Sequence, residues 1–270
     1  MPSSMSPVDR PALEQITAAT DYVGRVCDIV RAIGHADDPI QAVELLRDVT
    51  LRMGAEAAIF GSFIPEDRSG HFCRVLVACD PLWYAEYEAQ AYYAEDPWLA
   101  YAFRHSEPIR GSELLTLTEK ERGVVLLAER FGFRSSVIVP APSCGRLARM
   151  GVLCVGSSTP GYFDGEGYLT FKIVARSVAL EFHEWWLARI RDELVAKAGI
   201  DDHDRHLLAL GASGLSSKEI ARQLATTAYT IEGRFKSIQR RLKATSRKAA
   251  SRLATEYGLI SPPSFRGREP

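Results

Sequence analysis

Apolar residues recur three or four apart near the start of the chain, at Val23, Val26, Val30 and Ile33, and predict a helix over residues 11–33. Asp37-Asp38-Pro39 breaks the pattern as a turn, and a second helix is predicted from Pro39 to Met53. The period then shortens. Glu56 to Phe63, Cys73 to Cys79, Ser135 to Pro140 and Met150 to Gly156 are short β-branched or apolar runs bounded by Gly and Pro, which read as strands. Helical segments separate the second run from the third, at Leu82 to Tyr93, Asp96 to His105 and Thr118 to Phe131. The loops Pro65 to Gly70 and Ala141 to Arg149 suit hairpins, which makes two antiparallel strand pairs. A long helix is predicted from Phe163 to about Ala196, with Phe171, Val174, Val178, Phe182 and Trp185 on one face and Trp186 beside it. That face suits either docking on the sheet or a dimer seam. Gly199 ends the helix. Four short helices follow, over Asp202 to Leu210, Ser216 to Leu224, Thr227 to Leu242 and Ser246 to Tyr257, before a frayed end at Ser261 to Pro270.

The element order predicts an α+β chain: a domain over residues 11–196 with a mainly antiparallel sheet, then an all-α domain over 197–260. The 270 residues suffice for two cores, and 46% hydrophobic with 25% charged residues is a globular composition. No apolar run approaches a membrane span, and Met1 to Pro7 is not followed by the apolar core of a signal peptide. The five cysteines, Cys27, Cys73, Cys79, Cys144 and Cys154, are odd in number and lack paired metal spacing. They read as reduced thiols in a cytoplasmic protein that takes no cofactor. The net charge of −1 hides a division: residues 197–270 hold 14 Lys/Arg against 7 Asp/Glu, a net of +7 on the tail alone. A basic tail on an acidic body points to a polyanion that only the tail meets.

In the tail, Ser216 is a candidate N-cap, with Glu219 completing a capping box, and Thr227 can cap the next helix. There Ile231, Phe235, Ile238 and Leu242 share a core-facing stripe, while Glu232, Gly233, Lys236, Ser237 and Arg240 occupy the opposite side. Ten Lys/Arg and two Asp/Glu lie between Lys218 and Arg252, the excess that salt-dependent phosphate binding needs. Helix, turn and basic second helix form the arrangement that places a helix in the major groove. The run Gly214-Leu-Ser-Ser-Lys-Glu-Ile-Ala, with Thr230-Ile231, Ile238, Arg241-Leu242 and Arg247, resembles the helix-turn-helix of LuxR-type regulators. Asp204 stands where that family usually has Glu, and Lys243 replaces the usual Gly after the recognition helix. The resemblance implies a homodimer on partly palindromic double-stranded DNA. The residues assigned to DNA are Lys218, Thr227, Thr230, Glu232, Gly233, Arg234, Lys236, Ser237, Arg240 and Arg241. Glu232 either accepts from a cytosine amine or balances charge at the helix N-terminus.

In the body, Trp83 and Tyr87 are four apart, and Asp96 follows Trp83 by thirteen residues. An indole N–H, a phenol and a carboxylate together can bind a small amphiphile. Equally, Asp96 before Pro97 is an ordinary N-cap, and the two aromatics can be core. The spacing resembles the autoinducer-binding domain of quorum-sensing LuxR-type proteins over roughly residues 20 to 185, which implies an α/β/α sandwich. By that resemblance Trp83 donates to a lactone carbonyl, Asp96 accepts the amide N–H of an N-acyl homoserine lactone and Tyr87 lines the acyl region. Gly132 matches a family glycine, and Cys154 matches the pocket floor, although a core thiol is the alternative. Two positions depart: Cys79 lies where a Tyr commonly bonds the acyl carbonyl, and Gly111 where a Trp packs over the lactone. Losing that indole opens space, either for a bulkier or different head group or for Arg110 or Tyr93.

The leading reading is a ligand-responsive transcription regulator and not an enzyme. A ligand-independent dimerisation module, or a LuxR-type regulator of a non-lactone signal, is the alternative. For catalysis, His105, Cys144 and Cys154 are the candidates, but there is no Gly-Xaa-Ser-Xaa-Gly elbow, metal-spaced His cluster or phosphate loop. A phosphorylated receiver needs βα alternation, which the body lacks.

Overall fold

The computed structural model describes residues 11–63, 73–143 and 149–261. The described residues form two compact units, divided between Trp185 and Trp186. The proposed hairpin loop Pro65 to Gly70 and the segment 262–270 lie wholly, and the loop Ala141 to Arg149 partly, outside the described residues.

The first unit opens with two helices, α1 (Leu13–Thr17) and α2 (Tyr22–Ile33), where the periodicity predicts one. The break comes where the Thr17 hydroxyl donates back to the carbonyl of Leu13 at 2.9 Å, and the new axis buries Tyr22. The third helix, α3 (Pro39–Arg52), starts as expected: Asp38 accepts from the backbone N–H of Gln41 at 2.9 Å, with Pro39 in the first turn. Next come β1 (Ala57–Phe63), β2 (Arg74–Val77), α4 (Leu82–Ala89), α5 (Pro97–Ala102), β3 (Ile109–Arg110), α6 (Glu119–Arg130), β4 (Ser135–Pro142), β5 (Met150–Ser157) and α7 (Tyr168–Ala198). The segment expected as one helix over Leu82 to Tyr93 ends early. Ala91 takes a left-handed φ of 49°, and a 3-10 turn over Tyr92–Ala94 redirects the chain toward Asp96.

The sheet runs β2-β1-β5-β4-β3, antiparallel throughout. The two predicted strand pairs are present and are joined by β1 against β5, with Ile59 opposite Cys154. The two-residue β3 is too short to leave a periodic signal. Alternate side chains leave opposite faces. Ile59, Ile138, Val152 and Cys154 face α4 to α6, packing with Trp83, Tyr87, Trp98, Leu99 and Leu127. Phe60 lies on the other face, its ring 5.7 Å from that of Phe182 on α7. The first unit is therefore an α/β/α sandwich.

The second unit contains α8 (Asp202–Ala212), α9 (Ser217–Gln223), α10 (Ala228–Arg241) and α11 (Arg247–Glu256) around Leu207, Leu208, Ile220, Ile231, Phe235, Ile238 and Leu242. Ser216 and Glu219 form the predicted capping box, and Thr227 accepts from the N–H of Thr230 at 3.1 Å. Among the described residues, no helix is long and apolar enough to cross a membrane.

Candidate signal site and DNA-reading helix

Trp83 and Tyr87 share one face of α4, and their rings stack at 4.8 Å with 27° between planes. The Tyr87 hydroxyl donates to Oδ2 of Asp96 at 2.6 Å. Oδ1 of Asp96 accepts from the N–H groups of Trp98 and Leu99, at 2.7 and 3.2 Å, and caps α5. The carboxylate is thus the ordinary N-cap and the partner of the aromatic pair at once. Burial raises its pKa above the usual carboxylate value, against three hydrogen bonds that favour the charged form. Burial likewise raises the Tyr87 phenol, with Asp96 adding to it. The indole of Trp83 is 6% exposed, and among the described residues its N–H has no acceptor. A buried donor without a partner is rare in a settled core.

Cys154 sits on β5 beneath these groups. Its thiol is pushed well above its ordinary value by burial first and by Asp96 second, which keeps it protonated and a poor nucleophile. Cys79 is half-buried at the margin of the same cluster. Its thiol points to the carbonyl of Asp80 at 3.7 Å, and burial raises its pKa to about 12. His105 stacks on Tyr101 at 4.4 Å, and Cys144 lies outside the described residues.

Gly111 differs from expectation. The space that a missing side chain leaves there is already entered, because a Cβ would lie 2.2 Å from Oγ of Ser136 on β4. Arg110 does not fill it either. Its guanidinium bonds Glu113 at 2.7 Å and lies over the Tyr168 ring at 4.8 Å. Tyr93 is half-buried against the cluster. Ser136 gives no sign of itself in the sequence, since its neighbourhood depends on β3 pairing with β4.

On α10, Glu232, Gly233, Lys236 and Arg240 are exposed, as are Thr230, Thr227 and Lys218 nearby, and Ser237 is half-exposed. Two residues assigned to DNA are engaged elsewhere. Arg234 bonds Asp204 through Nε at 2.7 Å and Asp201 through Nη2 at 2.5 Å. Arg241 bonds the other oxygen of Asp204 at 2.5 Å and also donates to the carbonyls of Ala198 and Gly199. Asp204 is fully buried, so both arginines serve as its counter-charges. Arg247 holds α11 in place, donating to the carbonyl of Leu215 at 2.5 Å with its guanidinium 4.0 Å above the Phe235 ring. Lys243 takes a φ of 52°, the left-handed conformation that glycine adopts without strain, so the turn after α10 keeps its geometry. Tyr229, 87% exposed in the first turn of α10, is a surface feature that the hydrophobic pattern does not reveal.

The second unit and the first each resemble known proteins. Residues 39–168 match the family described as the autoinducer binding domain. Residues 202–254 match the bacterial regulatory proteins of the luxR family. No curated protein sequence matches the chain. Among solved structures, Escherichia coli SdiA shares the fold at 17% identity and a TM-score of 0.65, over 88% of this chain and 99% of that one. SdiA in complex with octanoyl-rac-glycerol matches at 16% identity and 0.64, over 89% and 97%. The N-acylhomoserine lactone dependent LuxR family transcription factor CepR2 from Burkholderia cenocepacia matches at 16% and 0.54, over 63% and 98%. At these identities the likeness is one of fold. With both family matches in this order along one sequence, the chain belongs to the luxR family of bacterial regulatory proteins, carrying an autoinducer-binding domain ahead of its DNA-binding helix-turn-helix domain.

Proposed function

We propose that this regulator takes up a small acylated signal in its first domain, ending near residue 196, and binds partly palindromic promoter DNA through α10 as a homodimer. The signal is an N-acyl homoserine lactone or a related acyl molecule. The observation that carries the reading is the buried Trp83 indole N–H, which has no acceptor among the described residues and whose ring stacks on Tyr87, the hydrogen-bond donor to the Asp96 carboxylate. A donor and an acceptor in one apolar wall complement an acyl amide or ester, whose carbonyl accepts and whose N–H or hydroxyl donates. Trp83 donates to the ligand carbonyl, Asp96 receives the ligand's donor, and Tyr87 holds Asp96 in place. Cys79, Cys154 and Gly111 line the remaining wall. A buried ligand adds to folding stability, and through it to the dimer. Lys218, Lys236 and Arg240 meet phosphates, while Thr227, Thr230, Glu232, Gly233 and Ser237 lie along the groove-facing side. The protein acts in the cytoplasm, where its DNA is, and catalyses nothing.

A non-lactone signal is the second reading, favoured by Gly111, which offers no side chain to cover a lactone ring. Calorimetric titration of the full chain with N-octanoyl homoserine lactone tests the site. Saturable binding that is lost in Trp83→Phe and Asp96→Asn supports it. Equal binding by both variants and the parent would overturn it.

A further inference from the structure

The backbone of Gly111 follows β3 and lies against β4. A Cβ built on it would come within 2.2 Å of Oγ of Ser136, while the Cβ and carbonyl of Ser136 stay at 3.5 and 3.7 Å. The close approach is therefore between one absent side chain and one hydroxyl. Ser136 precedes Ile138 by two residues on β4, and side chains two apart share a face. That is the face on which Ile138 and Cys154 pack with Trp83 and Tyr87. Ser136 is 6% exposed. The buried indole N–H of Trp83, which has no acceptor among the described residues, belongs to the same layer. A buried polar hydrogen is normally paired, so an unpaired indole N–H and a serine hydroxyl on a single layer call for a polar guest.

We propose that Ser136, given room by the missing side chain of Gly111, is a specificity-determining residue of the signal site. Its hydroxyl hydrogen-bonds the head group of the ligand. The matching ligand class is an acyl ester or amide with a compact, hydroxyl-bearing head, not one that needs an aromatic cover. The inference rests on the signal site proposed above.

The test is calorimetric titration of the full chain with 1-octanoyl glycerol and with N-octanoyl homoserine lactone. The parent binds the glycerol ester more tightly. Ser136→Ala weakens the ester about tenfold, the worth of one hydrogen bond, and moves the lactone less. Melting temperatures of the unliganded variants give a ligand-free readout: Gly111→Ala lowers it, and adding Ser136→Gly restores it. An unchanged ratio of affinities in Ser136→Ala, with Asp96→Asn weakening both ligands, overturns the role of Ser136 and leaves the site standing. Equal weakening of both ligands with a lowered melting temperature reduces Ser136 to packing and also overturns it. A parent that binds neither ligand overturns the site, and this inference with it.

Discussion

Tyr87 and Asp96, nine residues apart, meet through a 2.6 Å hydrogen bond from phenol to carboxylate, while the other carboxylate oxygen caps α5. One side chain therefore anchors a helix and presents a charge to the layer in which the signal is proposed to bind. Tyr87→Phe keeps the ring stacked on Trp83 but leaves Oδ2 of Asp96 buried without its donor. The expected cost is about 1–3 kcal/mol of stability, read from urea unfolding of the full chain. No change in the midpoint would contradict the geometry.

Asp96 itself is a liability without ligand. Its folded pKa is raised by burial, so between the ordinary carboxylate value and the raised one the folded state holds a proton that the unfolded state has lost. Stability due to this group therefore falls as pH rises through that window. Asp96→Asn keeps an acceptor for the N–H groups of Trp98 and Leu99 and carries no charge. It is expected to gain stability relative to the parent as pH rises through that window, while losing affinity for the signal. Urea midpoints of the two proteins across that range decide the matter: parallel curves would sink the assignment.

His183 has the opposite sign. On α7 its Nε2 lies 2.7 Å from Oγ of Ser143, which itself donates to the carbonyl of Arg149 at 2.6 Å. Burial first, and the positive Arg149 second, lower its pKa to about 4. Between the usual 6.5 and about 4 the unfolded chain binds a proton that the folded chain refuses, so stability is lost as pH falls through that window. The full shift is worth about 3 kcal/mol. In His183→Gln the acid limb of the stability curve should flatten by that order, as seen in unfolding midpoints at about pH 4 and about pH 7.

The basic residues of α10 divide by function. Arg241→Ala or Arg234→Ala leaves the buried Asp204 short of counter-charge, and about 3–5 kcal/mol of stability should be lost. Lys236→Ala should leave the melting temperature unchanged and lower the slope of log affinity for DNA against log salt by about one. A Lys236→Ala protein with an unchanged salt slope would remove that residue from the DNA face.

Lys243 occupies a glycine conformation at φ 52°. Lys243→Gly should stabilise the chain by about 1 kcal/mol, seen as a raised melting temperature, since a left-handed lysine carries strain that glycine escapes.

Local spacing along the chain carries much of the fold and part of the site. The capped helices of the second unit, its core stripe Ile231, Phe235, Ile238 and Leu242, and the grouping of Trp83, Tyr87 and Asp96 all follow from residues close together in sequence. What the spacing does not carry depends on contacts distant in sequence. Asp204 recruits Arg234 and Arg241 from 30 and 37 residues away, so a basic helix face overstates what is free to meet DNA. Ser136 approaches Gly111 only because a two-residue strand pairs with β4. The break between α1 and α2 carries no proline or capping motif strong enough to override the apolar period.

Signal binding and DNA binding are expected to be linked through one chain. Fluorescence anisotropy tests that link most directly, using a labelled duplex selected by the chain from a random pool and titrated with and without 1-octanoyl glycerol or N-octanoyl homoserine lactone. DNA affinity is expected to shift on the order of tenfold with at least one ligand, with DNA shifting that ligand's affinity by the same factor. Saturable ligand binding that leaves the DNA titration unmoved would contradict it.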